Sequence, residues 1–233
     1  MSEQTPSIVE LQARWDKIRV ANVYDTLDSM GYPNQCLDLG IRPIFPHQHL
    51  AGHVITLRGS ASQIPRGEEA GDWTGDYFDK AVQAMYPGCA VVIECGGELH
   101  AGKFGEMTSW ALQQGGARGI VLDSYIRDYL GLEVIPNFTT CARGTSPIES
   151  ASRWRMNAIN VPIAMPGTVT ARVRVNPGDW IIGEADGVIV VPQQIAMEAL
   201  VKAEKLEAEE QGMREDVAKG MSFTDAYKKW GRA

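Results

Sequence analysis

The chain has 233 residues, 44% of them apolar and 22% charged, with 24 Gly and a formal net charge of −7. That length is one large domain, or a domain with an arm, and the apolar content excludes intrinsic disorder. The acidic balance argues against a nucleic-acid-binding surface, because phosphate contacts need clustered Lys and Arg.

Many of the 29 acidic residues lie between Glu198 and Asp216, so the net charge reports one solvated helix more than a substrate. No apolar run approaches the roughly 20 residues that span a bilayer. The first ten residues carry neither a basic head nor an apolar stretch, so no secretory signal is expected. Cys36, Cys89, Cys95 and Cys141 lack CxxC spacing and are too few for a disulfide scaffold. They are expected as buried thiols in a reducing cytoplasm.

Ile8, Leu11, Trp15 and Ile18 share one face of a helix, and Val23, Leu27 and Met30 make a second that stops at Gly31-Tyr32-Pro33. Leu50 to Gly59 is strand-like, Tyr77 to Met85 a short helix, and Cys89 to Cys95 a buried strand. Phe104-Gly105-Glu106 opens a helix ended by Gly115-Gly116. Gly119 to Asp123 then forms a strand apolar on both sides, as a sheet covered by helices requires. Ile135 to Pro147 is expected to be irregular, and Ala158 to Met165 strand-like. Thr168 to Val175 alternates strictly, and Asp186-Gly187 between two apolar runs signals a hairpin. From Gln193 to Lys219 a polar helix rich in Ala, Glu and Lys follows, then a short apolar one through Phe223, Tyr227 and Trp230. Residues 1–192 are therefore expected as one α/β domain and 193–233 as a helical arm reaching a neighbouring subunit.

HExxH, EF-hand, GxSxG and Walker patterns are absent. His47, His49, His53 and His100 are scattered, as surface or hydrogen-bonded histidines would be, and Lys103 is expected as an exposed lysine at a helix entry. One constellation carries chemistry. Gly105-Glu106-Met107-Thr108 begins a helix, whose free N–H groups favour an anion. The next strand runs into Arg127-Asp128, and a strand end beside a helix start is where α/β sheets hold ligands. Arg127 offers a fork for a carboxylate, while Asp128 and Glu106 offer oxygens to a hard divalent cation. An Arg-Asp pair after a strand is equally an ordinary surface ion pair.

The run Gly105-Glu106-x20-Arg127-Asp128 resembles the RraA-like family, which includes the 4-hydroxy-4-methyl-2-oxoglutarate/4-carboxy-4-hydroxy-2-oxoadipate (HMG/CHA) aldolases. Other segments agree in order, among them Tyr24-Asp25, Gly40-Ile41-Arg42-Pro43, Ala142-Arg143-Gly144, Pro177-Gly178-Asp179 and Ala185-Asp186-Gly187. The resemblance spans roughly Asn22 to Gly220. It implies an α/β/α core like the swivelling phosphohistidine domain, with mixed strands, in homotrimers or homohexamers with sites between subunits. It also implies that Asp128 binds Mg2+ or Mn2+ directly and Glu106 through water. Arg127 and the N–H groups of Met107 and Thr108 would hold a small 2-oxo acid, and Glu209 or Glu210 from a neighbouring subunit would complete the metal's surroundings.

The chemistry expected is retro-aldol cleavage of a 4-hydroxy-2-oxo acid through a pyruvate enolate, with oxaloacetate decarboxylation as a side activity. Water held by Glu106 is the candidate base, and Arg127 stabilises the enolate. Glu106 stands where such aldolases usually carry Asp. Ser124 replaces a usual Gly and is expected to narrow the space near Arg127. The loop Arg66 to Trp73 matches nothing in the aldolases. The alternative within the family is a non-catalytic protein that binds and inhibits ribonuclease E. Methyl transfer is set aside, since no Gly-rich loop for S-adenosylmethionine follows a first strand.

Overall fold

The computed structural model describes residues 6–62 and 75–231. Helix α1 (Ile8–Trp15) starts at Ser7, whose hydroxyl accepts from the Glu10 N–H at 3.2 Å while Glu10 accepts from the Ser7 N–H at 2.7 Å. This reciprocal cap satisfies two donors that a helix start leaves free. Helix α2 (Val20–Ser29) ends into Gly31, which takes the left-handed φ of +83°. The chain then forms β1 (Arg42–Pro43), β2 (Leu50–Ala61), α3 (Gly75–Gln83), β3 (Cys89–Glu94), α4 (Glu106–Gln114) and β4 (Ala117–Leu122). Next come β5 (Tyr125–Ile126), α5 (Tyr129–Glu133), β6 (Thr139–Ala142), β7 (Gly144–Thr145), β8 (Trp154–Ile159) and β9 (Ile163–Pro166). Strands β10 (Arg172–Val175), β11 (Trp180–Glu184) and β12 (Gly187–Val191) precede α6 (Ala196–Ala218) and α7 (Phe223–Trp230).

The main sheet runs β1-β6-β4-β3-β2-β11-β12, with β8 also on β2. Strands β2, β3, β4 and β6 are parallel, and the rest join antiparallel. The sheet curls until its end strands β1 and β12 approach each other. Alternation along each strand explains the layers. Even positions of β2 (Leu50, Val54) face the concave side with Val92, Val121, Ile181 and Val190, closed by Met165 and Val173 of the β9–β10 hairpin. Odd positions face outward, where Ile55 and Leu57 meet the layer containing Leu112 of α4 and Leu132 of α5. Ala51, on the same outer face, lies under Trp15, Leu27 and Leu200 from α1, α2 and α6. Each such fully buried Leu contributes about 1.5–3 kcal/mol.

The mixed α/β class expected from the sequence is present, but the sheet is not a flat layer between two helical ones. Both helical groups lie on its convex side, because the concave side is filled by the sheet's own side chains and the hairpin. Two local expectations are also corrected. The stretch read as irregular contains β6 and β7; Thr139 to Ala142 is buried on both faces and so shows no alternation. The stretch read as one strand is two, split where Asn160 adopts φ +53° ahead of Val161-Pro162. Residues 193–233 supply α6 and α7. Within the chain α6 packs on α2, where Asn22 donates to Glu207 at 2.7 Å, and is tied to α1 by Arg14, which donates to both Glu204 oxygens at 2.7 Å. Trp230 of α7 folds back over Gly212 and donates to Asp216 at 2.8 Å. Among the described residues no helix is long and apolar enough to cross a membrane.

Candidate active site

The parallel strands β3 and β4 end at Glu94 and Leu122, and the segments that leave them build the site. Gly102 to Gly105 runs alongside Tyr125 to Asp128. The Lys103 N–H donates to Tyr125 O at 2.8 Å and the Arg127 N–H to Phe104 O at 2.9 Å. A Cβ on Gly102 would come within 2.8 Å of Arg127 Cβ, so glycine is what lets the segments lie this close. β5 and β7 form a two-stranded parallel ladder beneath, and Ser146 N donates to Ile126 O at 2.8 Å.

Helix α4 starts here. Gly105 precedes it in an extended conformation and has no side chain to cap the first turn, while Thr108 Oγ1 accepts from the Gly105 N–H at 3.0 Å. The Glu106 N–H donates to Asp128 Oδ2 at 3.3 Å. Among the described residues the N–H groups of Met107 and Thr108 meet no acceptor. Asp128 holds the left-handed conformation, φ 59° and ψ 45°, a strain that Asp tolerates better than most residues. The Arg127 guanidinium lies 3.4 Å from Asp128 Oδ1, and both side chains are partly open to solvent.

Two glycines leave room for carboxylates. A Cβ on Gly105 would fall on Asp128 Oδ2, and a Cβ on Gly131 would fall on Glu106 Oε2. The structure therefore brings Glu106, Met107, Thr108, Arg127 and Asp128 to one place. Glu209 and Glu210 stand elsewhere, on α6, paired with Lys205 at 3.7 Å and Arg214 at 3.1 Å. Among the described residues no three His, Cys, Asp or Glu side chains converge. The carboxylates that one chain brings here are those of Glu106 and Asp128, and carboxylate oxygens are the donors that Mg2+ or Mn2+ takes while keeping several waters. Exposed apolar side chains rim the site: Met107 at 78%, Leu130 at 76% and Val134 at 67%. The loop Arg66 to Trp73 lies outside the described residues.

Beneath the site lies a cluster that the sequence reading placed wrongly. The Lys103 side chain is fully buried, not exposed, and ion-paired with Glu98. Burial lowers its pKa to about 8. Ser124 does not crowd Arg127; its hydroxyl donates to Glu98 O at 2.6 Å and accepts from Lys103 Nζ at 3.2 Å. Cys95, whose thiol burial pushes up, and Asp123 flank this cluster, with Asp123 Oδ1 accepting from the Cys95 N–H at 2.7 Å. A lysine two residues ahead of a helix-opening glycine carries no periodic signal, so only the structure reveals it.

Other family segments prove architectural. Arg143 donates to Asp38 at 2.8 Å and to Asp123 O at 3.1 Å, tying the loop before β1 to the end of β4. Asp179 accepts from the N–H groups of Asn176 at 2.7 Å and Gln193 at 2.9 Å, joining the turn before β11 to the entry of α6. The histidines fall as expected: His53 Nδ1 meets Tyr86 Oη at 2.5 Å, His49 lies 3.6 Å from Glu184, and His47 and His100 are exposed.

Fold and site together define a mixed α/β protein with an arginine and two carboxylates gathered beyond the ends of its parallel strands. The RraA-like family model (Aldolase/RraA) matches residues 20–190, and the chain belongs to that family. It is 31% identical over 148 residues to a Halalkalibacterium halodurans protein named "Putative 4-hydroxy-4-methyl-2-oxoglutarate aldolase", covering 64% of this chain and 67% of that one. It is 26% identical over 216 residues to an uncharacterised Methanocaldococcus jannaschii protein, covering 90% and 95%. Its fold is similar to Streptomyces coelicolor RraAS2, described as an unusual member of the RNase ES inhibitor RraA protein family. That match has a TM-score of 0.72 and 25% identity, over 88% of this chain and 96% of that one.

Proposed function

We propose that this protein is a divalent-metal-dependent carbon–carbon lyase that cleaves a 4-hydroxy-2-oxo acid of the HMG/CHA type, with oxaloacetate decarboxylation as a side activity. One observation carries the reading: the Arg127 guanidinium, the Asp128 carboxylate and the open N–H groups of α4 converge where Gly105 and Gly131 leave space for two carboxylates. The relatives named as aldolases support it.

Asp128 would hold Mg2+ or Mn2+ directly and Glu106 through water. When bound, such an ion supplies positive charge against the enolate that forms. Arg127 binds the carboxylate of the 2-oxo acid and adds its own charge beside that oxygen, while the N–H groups of Met107 and Thr108 orient the substrate. Water held by Glu106 takes the proton from the 4-hydroxyl. The C3–C4 bond then breaks as the 4-oxygen becomes a carbonyl, its electron pair passes into the pyruvate enolate, and return of one proton to C3, balancing that taken from the 4-hydroxyl, completes the product. Oxaloacetate gives the same enolate on losing CO2.

This reading includes a homotrimer or homohexamer in the cytoplasm, with a core akin to the swivelling phosphohistidine domain. Residues 193–233 would extend it onto a neighbour, where Glu209 or Glu210 completes the site. The end of α6 and the start of α7 are what the arm offers: Val217 and Phe223 are exposed and, with Met213 and Arg214, line a cavity of about 500 Å3. A second reading, a non-catalytic RraA-type regulator that binds ribonuclease E, is favoured by the apolar rim of Met107, Leu130 and Val134 and by the likeness to RraAS2.

The deciding assay is pyruvate release from 4-hydroxy-4-methyl-2-oxoglutarate and from oxaloacetate, with Mg2+ and with EDTA, for the wild type and Arg127→Ala. Metal-dependent release that the substitution abolishes is expected. Release from neither substrate by an assembled oligomer overturns the lyase in favour of the regulator.

A further inference from the structure

The segment Gly102-Lys103-Phe104-Gly105 presents a mechanical problem. Its two glycines admit Arg127 and Asp128, yet glycines leave a backbone poorly fixed. Two side chains remain to hold it. Phe104 inserts into the outer-face core against Trp154. Lys103 goes to the cluster beneath, where its ammonium is ion-paired with Glu98 and donates to Ala101 O at 2.8 Å and Ser124 Oγ at 3.2 Å.

The partners are fixed in turn. Glu98 Oε1 accepts from the N–H groups of His100 at 2.9 Å and Ala101 at 3.2 Å, so the carboxylate closes the turn leading into the segment. Ser124, fully buried, is the first residue after Asp123 at the end of β4, and its hydroxyl donates to Glu98 O at 2.6 Å. The cluster thus joins the strand that delivers Arg127 to the segment that delivers Glu106. A buried ion pair contributes little net stability over apolar side chains of similar size, but it tolerates few alternative arrangements.

We propose that Lys103, with Glu98 and Ser124, is a positioning residue of this site: it sets the register between residues 102–105 and 125–128 and so the approach of the Glu106 N–H to Asp128. The catalytic part of this inference rests on the lyase reading above; the register itself does not. Glu98→Gln/Lys103→Met removes both charges of the pair together, so neither partner is left buried alone, and the buried Asp123 keeps its hydrogen bond from the Cys95 N–H. In the intact oligomer, amide hydrogen exchange over residues 102–106 should quicken by about tenfold or more, with β3 and β4 unchanged. Pyruvate release should lose about tenfold or more in kcat while KM stays within about threefold.

Ser124→Ala keeps the ion pair, should shift both readouts the same way by less, and takes over if the double variant does not fold. Unchanged exchange at 102–106 overturns the proposal, as does faster exchange spread evenly over the sheet with kcat intact. Selectively faster exchange in a protein whose wild type releases no pyruvate supports the register and refutes the lyase.

Discussion

The carboxylate of Asp128 occupies the place where a side chain on residue 105 would begin, so Gly105 and Asp128 are a complementary pair. The backbone of Gly105 is extended, at φ −127° and ψ −167°, which Ala adopts without strain. Gly105→Ala should therefore fold normally while pushing Asp128 and Arg127 aside. Displacements of this size cost about 10²-fold in rate. The expected result is pyruvate release reduced about that much, with calorimetry showing weakened Mn2+ binding and circular dichroism unchanged.

Asp128 separates backbone from chemistry. Asn tolerates the left-handed conformation nearly as well as Asp, whereas Ala pays for it, at about 1 kcal/mol. Both Asp128→Asn and Asp128→Ala should lose metal binding and activity. Only Asp128→Ala should also melt earlier, by about 2–4 °C in a chain of this size. Equal melting temperatures for the two variants would contradict the φ of 59°.

The arm has a buried side and an open one. Leu200 is fully buried under α2 and the sheet, while Val201 beside it is 56% exposed. Leu200→Ala should cost about 2–5 kcal/mol in chemical denaturation. Val201→Ala should cost under about 0.5 kcal/mol. A large effect of Val201→Ala, with a fall in oligomer mass, would show that the open side is held by another copy.

Acid should loosen the same arm from α1. Hydrogen bonding to Arg14 lowers the Glu204 pKa below its ordinary 4.5. A carboxylate depressed on folding adds stability above its unfolded pKa and loses it as pH falls through the folded value. The pair is partly exposed, so its contribution is about 0.2–1 kcal/mol. Comparing wild type with Glu204→Gln by denaturation, the stability gap expected at pH 7 should narrow as the pH falls below 4.5 and close once it is below the depressed folded-state value.

The helices and most strands were legible because their apolar periods are unbroken, as along Leu50 to Gly59, although the first helix ends at Trp15 and Ile18 of its expected face lies in the turn beyond. β6 was not, since Thr139-Thr140-Cys141-Ala142 is buried on both faces and leaves no period to read. The curl of the sheet was hidden for a related reason: alternation marks two apolar faces but not which of them meets a helix. The Glu106, Arg127 and Asp128 arrangement could be placed because a helix start and a strand end are local signals. The Lys103–Glu98–Ser124 cluster could not, because its members are joined by a turn and a neighbouring strand end. Gly105 is legible as part of a helix start and Gly131 carries no signal, so their role as space for carboxylates appears only in three dimensions.

β2 has consequences for how the chain is made. One of its edges is covered by β3, but the other is shared end to end by β11 and β8, which lie far downstream. A nascent chain therefore presents the β3-α4-β4-α5-β6 unit, which carries Glu106, Arg127 and Asp128, while that edge of β2 is still bare. Until β8 and β11 leave the ribosome, it remains open to any passing strand. Such distant pairings slow folding, so the interval between translating Ala142 and Glu184 is when this protein most needs a chaperone's cover.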